Sequence, residues 1–462
     1  WEELNERNKL GQLSSIVSHT NPLVFYVLFA VVVGLYTMLG GFRAAAITDA
    51  IQGVLIVLFS LILIPVGLAK VGGFDGLHAT VPDFMFALFG SAALSDYGWY
   101  TILAMILANL VSIIAVATGM QTAGSARDEM TARLGMIGGM FFKRFIMLFW
   151  ALAGLLAIGL YAGDLHDPDL IWGYMSRDLL MPGALGLMMV GILAANMSTL
   201  DATSVSYSAL FIRNLYEPLR PGRSESHYLL VGRLVIPLTL IGGVVVAVLV
   251  DDLLELFRYF ISIPAIFGAS IWLGFVWRGL TRPAVILQVA ICVMIYAIIP
   301  NLFGAMDWSR HDVRFLQTTR ARVVQVEEPA LLSDVDAGRA SRVGETLTRV
   351  REVAPAAVFF DEVARENPAD PTSRQVGLGR FNAEIWVLSW FGTDFSDTPR
   401  SWLIAFRFFF DAIVPFILLF LFSAVTVPVG PEALDRFFAK MHTPVQATAE
   451  LDGLALEAAY RN

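Results

Sequence analysis

The residues best suited to chemistry in this chain are hydroxyls and carboxylates set among apolar neighbours. From Gly191 the sequence runs GILAANMSTLDATSVSYSALFIRNLY. Coiled as a helix, its i, i+3 and i+4 rows bring Gly191, Ala195, Ser198 with Thr199, Ala202, Ser206 and Ala209 onto one face. Small residues of this kind favour close helix packing in a membrane. The same face also offers the Ser198 and Thr199 hydroxyls and a backbone carbonyl near Ala195. These are hard oxygen donors, of the kind that suits Na⁺. Asp201 follows one turn after Ser198. A carboxylate surrounded by lipid costs on the order of 3 kcal/mol, so it calls for a cation, a proton or a partner.

Three further places carry polar groups where lipid disfavours them. The segment GGFRAAAITDAIQG opens with Gly40 and Gly41, which are expected to break the chain, and then puts Thr48, Asp49 and Gln52 on one helical face. Asp49 suits either the positive end of a helix dipole or a cation-binding role. Asn109 lies in the middle of an apolar run, where an amide needs a partner. Lys143 precedes 18 apolar residues and, with Arg144, serves most simply as an anchor at the cytoplasmic face.

The elements that must position these groups follow from composition. Of the 462 residues 56% are hydrophobic and 16% charged, where soluble chains carry about 25% charged residues. An ordinary soluble enzyme is thereby excluded. Nine apolar stretches, at about 23–39, 46–69, 101–120, 145–162, 183–212, 228–250, 259–277, 284–303 and 402–427, approach or exceed the roughly 20 helical residues that cross a hydrocarbon core. The fold class expected is an all-α polytopic membrane protein with the lipid bilayer as its surroundings. A net charge of -8 shows no basic surplus, so nucleic acid is not expected as a partner. The single cysteine, Cys292, rules out an intrachain disulfide and any Cys-based metal cluster.

Alternate loops differ in basic charge. One set holds Arg43, Arg127, Arg133, Lys143, Arg144, Arg213, Arg220, Arg223, Arg278 and Arg282; the other holds Lys70, Arg177 and Arg258. Positive charge is retained on the cytoplasmic side, which puts residues 1–21 outside and the tail 428–462 inside. Eight helices within 22–303 then form the core, and 402–427 is the final span. Between them, 304–401 is an extracytoplasmic insertion whose stretch Asp307 to Arg400 holds 27 of the 72 Asp, Glu, Lys and Arg residues. Within it 338–352 and 355–366 are expected as amphipathic helices, and Trp386, Trp390 and Trp402 suit a membrane interface. The chain opens on Trp1 and a polar segment, as a fragment lacking its N-terminal part would.

Two motifs, LYTMLGGFRAAAITDAIQG and STLDATSVSYSALFIRNLY, resemble those of the sodium:solute symporter family, which includes sodium/sugar, sodium/proline and sodium/pantothenate transporters. The resemblance runs from about residue 20 to 303, with a weaker echo in PEALDRFFAKMHTPV. It implies a LeuT-type inverted-repeat helix bundle, here partial: core helices four to ten plus two peripheral helices. By the same likeness Ser198 and Thr199 fall on the hydroxyls of the main sodium site and Ala195 on its carbonyl donor. Asp49 falls on a fifth-helix aspartate associated with a second ion or the ion exit path. Asn109 and Lys143 keep the spacing of an Asn and a Lys that bind sugar. Ser112 stands where those sugar carriers have a gating Tyr, and Gln121-Thr122 where many members have Gln-Arg.

The function these expectations support is sodium-coupled symport of a small polar organic solute, a sugar among the candidates, with Na⁺ as coupling ion. The expected location is multi-pass in the cell membrane, a bacterial inner membrane. Asp49, Asp201 and the Ser198 hydroxyl are expected to share a second cation position, filled by Na⁺ or by one proton, because two nearby carboxylates in a low dielectric resist joint ionisation. A proton-coupled carrier of the same fold and a transporter-like membrane sensor are the alternatives. An enzyme is not expected, since no Ser/His/Asp, metal or nucleotide motif is visible.

Overall fold

The computed structural model describes residues 21–81, 83–86, 96–161, 171–249, 253–329, 337–341, 346–367, 370, 372–428, 430–446 and 448–461. The helices are α1 (Pro22–Val71), α2 (Gly73–Thr80), α3 (Trp99–Ser112), α4 (Ala117–Gly124), α5 (Glu129–Tyr161), α6 (Ile171–Leu179), α7 (Pro182–Phe211), α8 (Glu225–Leu249), α9 (Leu253–Val276) and α10 (Arg282–Val293). Four strands follow, β1 (Arg322–Pro329), β2 (Thr346–Val353), β3 (Phe360–Arg365) and β4 (Gln375–Phe381), and then α11 (Ala383–Ser389), α12 (Arg400–Val425), α13 (Pro431–His442) and α14 (Ala449–Arg461). The chain divides into two compact units, residues 1–81 with 117–256 and residues 82–116 with 257–462.

In the first unit α1 starts cleanly. The Asn21 side chain accepts a hydrogen bond from the Leu23 N–H at 2.9 Å, and Pro22 occupies the first turn. Its outward row Leu23, Val27, Val31 and Leu35 is exposed at four-residue spacing, an apolar stripe that lipid covers in a membrane protein. The inner row packs Val33 against Ile236 and Leu240 of α8, with Tyr36, Met197 and Leu200 closing the cluster. The α5 helix is tied to α1 where the Trp150 Nε1–H donates to Ser60 Oγ at 3.0 Å.

Gly40 and Gly41 do not break this helix as the sequence suggested; α1 runs unbroken for 50 residues. Each glycine costs only about 1 kcal/mol in a helix interior, and the three alanines that follow restore propensity. Arg43 is therefore not a loop residue, and neither are Lys70 at the end of α1 nor Arg133, Lys143 and Arg144 within α5, so the loop charge count loses members from both sets. Two stretches within α1, Leu23–Gly40 and Ala50–Val71, are each long and apolar enough to cross a membrane. Together with segments in α5, α7, α8, α9, α10 and α12 they make eight such stretches among the described residues.

The remaining expected span, 101–120, is interrupted. The α3 helix gives way to a 3₁₀ turn at Ile113–Ala115 and an extended Val116 before α4 begins. Val111, Ile113, Ile114 and Val116 are β-branched, and their stiff χ1 weakens helix propensity there.

In the second unit α3 lies along α12, with Tyr100, Ala104 and Ala108 packed against Ala405, Phe408 and Ala412. The α9 helix joins them at very close range. A Cβ placed on Gly268 would stand 2.0 Å from the Val111 carbonyl oxygen, so only glycine fits. The α10 helix continues through a π turn at Met294–Ile298 to Ala305.

The insertion departs from expectation. Where amphipathic helices were expected over 338–352 and 355–366, Thr346–Val353 and Phe360–Arg365 are strands. They form two antiparallel hairpin ladders, β1 with β2 and β3 with β4. The β3–β4 register shifts between Phe360 and Glu362, and nearby Gly379 takes a φ of +76°. Phe315, Phe359, Phe360, Phe381, Ile385 and Phe395 bury themselves with Ile295 and Tyr296 of the continued α10. The insertion is thus anchored to helices by an aromatic core.

Candidate ion site

The α7 helix can come close to its neighbours because its inner positions are small. Gly191, Ala194, Ser204, Ser206 and Ser208 are buried, and α1 packs along them. The Ser208 hydroxyl donates to the Gly232 carbonyl of α8 at 2.8 Å. The Ser204 hydroxyl bonds back to the Leu200 carbonyl at 2.6 Å, which satisfies it within the helix.

Two of the expected sodium ligands meet. The Thr199 hydroxyl donates to the Ala195 carbonyl at 3.1 Å, so both oxygens occupy one small patch of the helix surface. Thr199 is exposed and Ser198 half-buried beside it. After donating its one proton, Thr199 Oγ1 keeps lone pairs for a cation, whereas the Ala195 carbonyl, which also accepts the helical Thr199 N–H, would bind one only if the hydroxyl turned away. Ser198, the neighbouring residue on the helix, carries a further hard oxygen donor. The donor chemistry fits a hard monovalent cation.

Asp201 is fully buried. Its Oδ2 accepts a hydrogen bond from the Tyr36 phenol of α1 at 3.0 Å, and the same phenol lies 3.2 Å from the Met197 carbonyl oxygen. The sequence reading named no partner for Asp201, yet Tyr36 stands inside the LYTMLGG motif as a polar group in an apolar run. A second unanticipated pair joins α4 to α7. The Ser206 hydroxyl is within reach of Gln121 Oε1 and, at 2.8 Å, of the Ala202 carbonyl.

The other expected residues stand apart. Asp49 and Thr48 lie on the α1 backbone, but their side chains fall outside the described residues. Asn109 is half-buried in α3, and its carbonyl accepts the buried Ser112 hydroxyl at 3.1 Å. Lys143 is exposed on α5 among exposed Phe141, Phe142 and Phe145. Asn109 and Ser112 belong to the second unit and Lys143 to the first, so neither unit holds the solute set by itself. Among the described residues no three His, Cys, Asp or Glu side chains converge as metal ligands.

Apolar helices long enough to cross a bilayer, joined through small residues around a buried carboxylate, define a multi-pass α-helical membrane protein. The chain belongs to the sodium:solute symporter family, whose model matches residues 22–278. It is 28% identical over 249 residues to sodium/glucose cotransporter 4 of Danio rerio, covering 46% of this chain and 37% of that protein. To the sodium/pantothenate symporter of Haemophilus influenzae it is 26% identical over 214 residues, covering 46% and 43%. Sodium/myo-inositol cotransporter 2 of Bos taurus is 26% identical over 249 residues, covering 46% and 37%. The chain therefore spans about two fifths of the length of these relatives. A solved structure of a Na⁺-coupled sialic acid symporter, in a substrate-bound outward-open state, matches with a TM-score of 0.50 at 20% identity over 62% of each chain. That likeness bears on the fold and agrees with the partial LeuT-type bundle.

Proposed function

We propose that this chain forms the sodium-binding part of a secondary carrier that couples Na⁺ entry to uptake of a small polar organic solute. The observation that carries this reading is the oxygen patch of Ala195, Ser198 and Thr199, on a helix within the family-matched segment. Coupling requires only that Na⁺ bind the solute-loaded outward state more tightly than the alternative, so that its gradient drives the solute inward. Sodium is the coupling ion and the cell membrane the location. Asn109, Ser112 and Lys143 are the solute contacts this reading assigns, and sugars are the first class to try.

A second cation position is part of the same reading. The Tyr36 phenol stabilises an ionised Asp201, and Asp49 with the Ser198 hydroxyl would complete the set. The buried carboxylate equally favours a proton there, which keeps a proton-coupled carrier as the second reading. Uptake by the full-length protein in liposomes, with Na⁺ replaced by choline at fixed pH, separates them. Sodium symport predicts loss of concentrative uptake in choline across sugars, amino acids and carboxylates. Uptake that persists in choline and follows a pH gradient would favour proton coupling.

A further inference from the structure

The second unit holds a cavity that none of the ion or solute residues line. Its volume is about 690 Å³, inside the roughly 300–1,000 Å³ usual for small-molecule sites. The starts of α3 and α12, the first half of β1 and the end of β2 make its walls. Alternation along β1 turns Arg322 and Val324 to one face, and Val353 of β2 stands opposite Arg322 in the ladder, so all three line the same space. Backbone bonds fix this wall. The Thr319 N–H donates to the Ala356 carbonyl at 2.8 Å, the Ala356 N–H donates to Thr319 Oγ1 at 2.9 Å, and the Arg320 N–H donates to the Ser396 carbonyl at 2.8 Å. Opposite, the Tyr100 and Trp402 rings stack at 4.0 Å and 8°, joining α3 to α12.

The cavity is positively charged. Three guanidiniums line it, those of Arg320, Arg322 and Arg400, against the one carboxylate of Asp96. Arg400 pairs with Asp96 at 3.3 Å, and Arg320 pairs at 3.0 Å with Asp397, which does not line the space. Even with Asp397 counted, one positive charge is left over. It belongs to Arg322, which is half-buried and whose side chain has no ion pair or hydrogen bond among the described residues. Five N–H donors thus face the cavity without an acceptor. The two existing pairs are exposed and therefore weak, so an anion can share their arginines. The 26-residue α12 adds the positive end of its dipole at Arg400 and Ser401.

We propose that this cavity binds a phosphate group, carried by an anionic phospholipid headgroup or by a soluble phosphate ester. Each guanidinium offers a planar fork. One fork saturates the two oxygens of a carboxylate, whereas a tetrahedral phosphate has oxygens for more than one. A phosphodiester carries one negative charge, which matches the surplus of the cavity. Val324, Val353 and Pro355 leave an apolar wall for the carbon skeleton attached to the phosphate. Trp402 and Tyr100 stand where membrane-length α12 and apolar α3 begin, and aromatic rings of this kind mark headgroup depth. A lipid phosphate therefore meets the cavity at the membrane surface. Occupied, the cavity ties β1 of the insertion to the starts of both helices through one shared anion.

Native mass spectrometry of the full chain released from a nonionic detergent tests this, with phosphatidylglycerol, phosphatidylcholine, glycerol phosphate and acetate as probes. Wild type should retain phosphatidylglycerol or glycerol phosphate. At equal concentration it should retain neither acetate nor phosphatidylcholine, whose choline cancels the phosphate charge. Arg322→Gln should weaken the binding roughly 10-fold or more, the loss of a charge-assisted contact. Arg322→Lys, which keeps the charge without the fork, should fall between. Arg436→Gln, at an exposed arginine of α13 outside the cavity, should bind as wild type does. Retention of the lipid without glycerol phosphate assigns the phosphate to the membrane, and equal retention of both assigns it to a soluble ester; either supports the site. Retention of neither, binding unchanged in Arg322→Gln, or equal retention of acetate or phosphatidylcholine would overturn it. If Arg322→Gln does not fold, Arg322→Lys carries the test.

Discussion

The Tyr36–Asp201 contact offers a sharp prediction, because Asp201 is fully enclosed and its carboxylate depends on donors supplied by protein. Tyr36→Phe removes the phenol that donates to Asp201 Oδ2 at 3.0 Å and leaves the ring in place. Loss of a hydrogen bond to a charged acceptor costs about 1.5–3 kcal/mol, whereas the same bond to a neutral acceptor is worth about 0.5–1.5 kcal/mol. Tyr36→Phe should therefore cost about 1 kcal/mol more in wild type than in an Asp201→Asn background. In a unit of this size that coupling corresponds to roughly 2–4 °C of melting temperature. The assay is a double-mutant cycle on the full chain in detergent, read by thermal melting of wild type, both single variants and the double. Strictly additive losses would mean that the phenol and the carboxylate do not interact, and that Tyr36 is a packing residue.

Gly268→Ala should destabilise the second unit by about 1–3 kcal/mol, because its methyl would collide with the Val111 backbone, which cannot swing aside; a melting temperature equal to wild type would refute the close approach of α9 to α3. His311 donates at 2.8 Å from Nδ1 to the Asp307 carbonyl and at 2.8 Å from Nε2 to Glu366, and these contacts raise its ring above the ordinary 6.5. Its stabilisation is thus fully present below that value and lost as pH rises through the raised one. Melting of the insertion followed from about pH 5 to about pH 9 should show this loss in wild type and not in His311→Asn.

Much of this was legible in sequence because lipid imposes long apolar runs, and α7, α8, α10 and α12 fall where those runs predict, while α5 contains its run but starts earlier, at Glu129. The small face of α7 was equally plain, since helical periodicity needs no tertiary information. The strands of the insertion were not. Leu347, Val350 and Val353 repeat every three residues and mimic a helix, while the pairing of β2 with Val323 and Val324 of β1 is a non-local choice that local periodicity does not contain. Arg407 and Asp411 were visible as charges one turn apart in the last apolar run, but their partners come from Ser262 and from Asp361 of the insertion, which only the fold brings near. Tyr36 was similarly hidden: its polarity shows in sequence, and its contact with a residue 165 positions away does not.

The most direct test of the sodium assignment is the half-saturating Na⁺ concentration for solute uptake by the full-length carrier, measured for wild type, Ser198→Ala and Thr199→Ala. Losing one oxygen ligand should cost about 1–3 kcal/mol, a rise of roughly 5- to 150-fold in that concentration. An unchanged Na⁺ requirement in both variants would contradict the assignment of the Ala195, Ser198 and Thr199 patch as the sodium site.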